Sequence, residues 1–151
     1  MKLIEGEIVI NRSPQAVFDF VADERNEPDY NPRMVRAEKL SDGPIGQGTR
    51  FGASVRSAGR TTDMIIDRTE YDRPNRLGSI TRMASMDIQG VLTFEPDGAQ
   101  TRMRWSWDIA PKGAFRLLSP VIGWMGRRQE QVIWSNLKRV LETAPATDLT
   151  P

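Results

Sequence analysis

Residues 100–109, QTRMRWSWDI, constrain the fold more tightly than any other stretch of the chain. Met103, Trp105, Trp107 and Ile109 alternate with Arg102, Arg104, Ser106 and Asp108. A period of two with one apolar and one solvated face predicts an antiparallel strand in a sheet covered on a single side. The same alternation recurs upstream. It predicts strands over residues 3–10, 34–40, 50–57, 60–71, 76–82 and 86–95, besides 100–109. The punctuation between them is turn chemistry: Ser41-Asp42-Gly43-Pro44, Ala58-Gly59, Asp72-Arg73-Pro74-Asn75 and Pro96-Asp97-Gly98.

Two regions break the pattern. Ser13 followed by Pro14 is an N-cap with proline at the first helical position, and Ala16, Val17, Phe18, Phe20 and Val21 supply a short apolar helix face. Pro28 and Pro32 bracket a brief turn or helix around Tyr30. After Pro111-Lys112-Gly113 the apolar residues recur at three and four, from Phe115 through Leu118, Val121, Met125, Ile133 and Leu137 to Leu141. That spacing predicts a long amphipathic helix of roughly eight turns. Pro120 implies a kink or a broken first turn near its start. Residues 1–143 read as one domain and 144–151 as a flexible tail without an apolar pattern.

The expected architecture is α+β: a curved antiparallel sheet of about seven strands around a long C-terminal helix, with one or two short helices after the first strand. Only the last helix is long enough to cover the apolar sheet face. The short helices prop one end open, so a cavity forms between sheet and helix.

Composition restricts the chemistry. The 151 residues include no histidine and no cysteine, which removes the Ser-His-Asp triad, thiolate nucleophiles and zinc-thiolate sites. No metal and no cofactor is expected. Lys plus Arg number 21 against 20 Asp plus Glu, a net charge of +1 that makes no case for nucleic acid. The N-terminus lacks a signal-peptide core, and no run approaches the roughly 20 apolar residues of a membrane span. The expectation is a cytoplasmic monomer or homodimer without integral membrane association.

Several motifs, in order, resemble the polyketide cyclase/dehydrase group of the START-like superfamily. They are Ser13-Pro14 with Val17-Phe18-x-Phe20-Val21, Tyr30-Asn31-Pro32, Gly46-x-Gly48-Thr49-x-Phe51, Tyr71-Asp72-Arg73-Pro74-x-Arg76-Leu77, Thr93-Phe94-Glu95-Pro96-x-Gly98 and Thr101-Arg102-Met103. The resemblance runs from about Ile4 to Glu142. It implies the helix-grip fold and a deep pocket for a hydrophobic or aromatic ligand. Tyr30 stands where the family commonly has tryptophan. The family has no universal catalytic set, so the resemblance assigns no catalytic residue here.

The inward faces nominate the pocket walls. Met64, Ile66, Met86, Met103, Trp105 and Trp107 from the strands and Met125 from the helix are its apolar candidates. Each could equally be plain core. Methionine adds adaptable surface, and a buried indole N–H wants a partner. The polar candidates are Tyr30, Arg68, Ser79, Thr81 and Gln129. Arg68 reads either as a receptor for a ligand carboxylate or as a strand-end residue reaching solvent. Tyr30 reads either as an acid at the cavity mouth or as a packed lid. Asp63 and Asp67 should face solvent and pair with cross-strand arginines such as Arg56 or Arg102. Arg127, Arg128, Lys138 and Arg139 read as a solvated helix face, because Glu130 and Glu142 interrupt the run. The glycines of DGPIGQGTRF, residues 42–51, lead into a strand and not a helix, so they mark a turn and not a phosphate loop.

Two functions follow. One is binding, for sequestration or transport, of a hydrophobic small molecule such as a lipid or aromatic polyketide. The alternative is a cyclase, aromatase or dehydratase working in the same cavity.

Overall fold

The computed structural model describes residues 2–143; the expected tail, 144–151, lies outside the described residues. Seven strands run in chain order: β1 Lys2–Ile10, β2 Met34–Lys39, β3 Arg50–Ser57, β4 Arg60–Asp72, β5 Arg76–Met83, β6 Met86–Asp97 and β7 Gln100–Pro111. They form one antiparallel sheet in the order β1-β7-β6-β5-β4-β3-β2. Helix α1 spans Pro14–Ala22, a 3-10 segment follows at Glu24–Asp29, and α2 spans Ser119–Thr143 behind a second 3-10 segment at Gly113–Leu118. This is the helix-grip arrangement.

Local chemistry accounts for the breaks. Ser13 Oγ accepts from the Ala16 N–H at 3.3 Å and caps α1. The β3–β4 hairpin turns at Ala58 and Gly59, both at positive φ (52° and 76°), the geometry that matches the twist of paired strands. The glycine-rich stretch is the β2–β3 loop, with Gly43 and Gly48 at φ 86° and 90°. Gly48 donates to the Arg68 carbonyl at 2.9 Å, which ties the loop to β4. Pro120 sits in the first turn of α2, and the residues before it are 3-10 and not α-helical.

Two packed regions flank an opening. The larger joins Ile133, Trp134, Leu137 and Leu141 of α2 to Val17 and Phe18 of α1 and to Phe94, Met103 and Trp105 of the sheet. The smaller, under β3 and β4, comprises Met34, Phe51, Ala53, Met64 and Ile66. Close approach of α2 to β1 requires Gly126, where an added Cβ would lie 2.5 Å from Ile4 Cδ1. The space between the two packed regions is the cavity.

Candidate functional site

The cavity has a volume of about 330 Å³. The sheet supplies mostly hydrocarbon: Met64 and Ile66 from β4, Leu77 from β5, and Met86, Ile88 and Leu92 from β6. The helical side supplies polar groups: Glu24 and Glu27 from the first 3-10 segment, Tyr30 just after it, and Gln129 and Glu130 from α2. Ser79 and Thr81 add hydroxyls from β5.

Nine of the twelve residues expected at the site line this cavity: Tyr30, Met64, Ile66, Arg68, Ser79, Thr81, Met86, Trp107 and Gln129. The other three lie elsewhere. Met103 is fully buried in the larger packed region. Trp105 lies over Gly6, where an added Cβ would stand 2.3 Å from Trp105 Cζ2, and packs against the Trp134 ring at 5.9 Å. Met125 is 44% exposed and lines an outer groove beside Trp124 and Arg128. Asp63 and Asp67 stay off the cavity, and Asp67 pairs with cross-strand arginines as expected, though not with Arg56 or Arg102. Register places Arg50 opposite Asp67 and bonds them at 2.7 Å, Arg82 reaches the same carboxylate at 3.0 Å, and Ser54 bonds Asp63 at 2.6 Å.

Arg68 is buried, not reaching solvent. Regular alternation with Met64 and Ile66 turns Arg68 inward, and a β-bulge between Arg68 and Glu70 then shifts the phase so that Tyr71 turns inward three residues on. The guanidinium already has a protein anion: Nη2 bonds Glu24 Oε1 at 2.7 Å and the Ala22 carbonyl at 2.9 Å. Its charge also lies 5.4 Å from the Phe51 ring centroid. Arg68 Nε has no hydrogen-bond partner among the described residues.

Three carboxyl groups in the cavity escaped the sequence reading. No N–H of the described residues reaches Glu24 Oε2. Burial, then the charge of Glu24 and a hydrogen bond to it, push the Glu27 carboxyl well above the usual carboxylate range. Asn31 Nδ2 donates to Glu27 Oε1 at 2.9 Å. Glu130 takes two indole donors on a single oxygen: Trp107 Nε1 at 3.0 Å and Trp134 Nε1 at 2.6 Å both reach Oε2. Burial raises its pKa to about 7 against the lowering effect of both indoles. Among the described residues, the donors to Glu130 all reach Oε2 and none reaches Oε1. Tyr30 lies between Phe20 and Trp134, with ring centroids at 6.0 and 5.9 Å. Burial and the neighbouring Glu27 and Glu24 push its hydroxyl pKa well up. Among the described residues, no three acidic groups converge as metal ligands.

A curved sheet gripping one long helix around a cavity of mixed polarity defines the class of domain as helix-grip. The profile of the family described as "Polyketide cyclase / dehydrase and lipid transport" matches residues 1–142, and the chain belongs to that family. Solved structures with the same fold include TTHA0849 from Thermus thermophilus, with a TM-score of 0.80 at 16% identity over 94% of this chain and 99% of that one. A START superfamily protein from Mycobacterium smegmatis superposes with a TM-score of 0.72 at 16% identity, covering 94% of this chain and 95% of that one. The Zhui aromatase/cyclase from Streptomyces sp. R1128 gives 0.70 at 17% identity over 92% of this chain and 95% of that one. No curated protein sequence matches the chain.

Proposed function

We propose that the domain binds a small, mainly apolar molecule that carries a polar, hydrogen-bonding end. The division of the cavity wall supports this reading: hydrocarbon from the sheet, carboxyls and a tyrosine hydroxyl from the helical side. The apolar body lies along Met64, Ile66, Ile88 and Leu92. The polar end meets Glu130 Oε1 and the Tyr30 hydroxyl. Lipids and aromatic polyketides both fit that description. Titration with the neutral fluorophore N-phenyl-1-naphthylamine tests the reading. Saturable binding with energy transfer from tryptophan is the expected result; no saturation with this or other neutral apolar probes overturns it.

One observation favours a second reading, a cyclase or dehydratase. Glu130 combines an unoccupied oxygen with a pKa of about 7, so it can take or give a proton near neutrality. It would remove a proton from an activated carbon or return one to a departing hydroxyl, with Tyr30 donating to the developing oxyanion. Turnover of short 3-ketoacyl or 3-hydroxyacyl thioesters would then show a pH inflection near 7. Glu130→Gln would abolish it; undiminished turnover in that variant removes the role.

A further inference from the structure

The exposed apolar surface of the molecule is concentrated in one place. Of the ten large hydrophobic residues exposed among the described residues, seven fall between Phe115 and Val132. Leu117 is 86% exposed and Trp124 58%. Leu117, Val121, Trp124 and Val132 recur at three, four and eight residues, which sets them along one side of the second 3-10 segment and α2. No neighbouring element of the described chain covers this side, and monomeric proteins rarely leave a contiguous patch of that kind in water.

The charge around it has one sign. Between Asp108 and Glu130 the sequence contains no acidic residue but four basic ones, Lys112, Arg116, Arg127 and Arg128. Lys112 is tied to Asp87 at 2.9 Å. Arg128 lies 5.8 Å from the Trp124 ring centroid, so charge and aromatic surface are presented together. Glu130, which breaks the basic run in sequence, turns into the cavity and bonds Trp107 and Trp134. Its charge does not neutralise the outer face.

The patch also adjoins the cavity. A surface groove of about 210 Å³ runs beside Trp124, Met125 and Arg128. Groove and cavity share Asn31, Arg33, Gln129 and Ile133. At that junction Arg33 Nη1 donates to Gln129 Oε1 at 3.3 Å.

We propose that residues 113–132 form a docking surface for an anionic phospholipid bilayer. The apolar side chains enter the interfacial layer, Arg127 and Arg128 meet lipid headgroups, and the Arg33–Gln129 junction faces the membrane as the way into the cavity. Charge decides against a second copy of the chain as occupant. A two-fold interface would set Arg127 and Arg128 near their own copies with no carboxylate from the same segment to separate them.

Co-sedimentation of the full chain with vesicles tests this directly. The protein should pellet with phosphatidylcholine vesicles that contain phosphatidylserine, pellet poorly with phosphatidylcholine alone, and be released by salt. Arg127→Gln combined with Arg128→Gln should weaken partitioning roughly thirtyfold. Leu117→Ser with Trp124→Ser should weaken it by at least about tenfold. Both variants alter exposed positions and should keep the wild-type circular dichroism and N-phenyl-1-naphthylamine binding, which separates this proposal from the cavity reading. Failure to pellet with either vesicle, or equal pelleting with both, overturns it. So does a concentration-dependent dimer that the Leu117→Ser/Trp124→Ser variant abolishes, since the surface would then belong to a second copy.

Discussion

Glu130 is held by its neighbours in a state its own chemistry disfavours. Its folded pKa of about 7 lies above the ordinary value of 4.5, so the folded protein binds more protons than the unfolded chain between those values. Its contribution to stability is therefore complete below about 4.5 and lost as pH rises through about 7, a change of roughly 2–3 kcal/mol. Glutamine keeps an acceptor for both indoles and never ionises. Glu130→Gln should match the wild type in urea unfolding at pH 5 and exceed it by roughly 2 kcal/mol at pH 8. Asp67, Asp23 and Glu7 have lowered values and act in the opposite sense, in a more acidic window. Arg68 presents the complementary case. Arg68→Met strands the Glu24 carboxylate in the interior and should cost about 3–5 kcal/mol. Adding Glu24→Gln should recover most of that loss, as measured by urea midpoints at neutral pH.

The elements place these groups, and they differ in how openly the sequence shows it. Alternation made the walls from β4 and β5 legible: Met64, Ile66, Ser79 and Thr81 line the cavity as their phase requires. Phase alone did not separate Trp105 from Trp107. Sheet curvature and Gly6 seat the first in the packed interior, while the second faces the cavity. Glu130 was illegible for a different reason. It follows Arg127-Arg128-Gln129 and reads as solvated, and its inward turn depends on Trp107 of β7 as well as on Trp134 of its own helix. Glu24 and Glu27 sit in a 3-10 segment that has no apolar periodicity to orient them. The β6–β7 pairing carries its own test. An added Cβ at Gly90 would stand 1.9 Å from the Ser106 carbonyl oxygen and 2.8 Å from Trp107 Cε3. Backbone cannot yield there as a side-chain tip can, so Gly90→Ala should destabilise by at least about 3 kcal/mol. Gly126→Ala meets only the flexible end of Ile4 and should cost about 1–2 kcal/mol. Parallel urea titrations rank the two.

Taken whole, the molecule is a shell around a cavity, so its stability is linked to whatever fills that space. N-phenyl-1-naphthylamine at a hundred times its Kd should raise the unfolding free energy by about 2.7 kcal/mol. Thr81→Trp, which fills the cavity from β5, should abolish that gain without unfolding the protein. Among the described residues no helix is long and apolar enough to cross a membrane. The sheet order has a further consequence. Among the described residues β1 pairs with β7 alone, the strand farthest from it in the sequence. During translation it waits, one apolar face exposed, until about a hundred more residues have left the ribosome. Glu5 and Glu7, alternating with that face, put charge on an edge strand, which disfavours its pairing with another polypeptide.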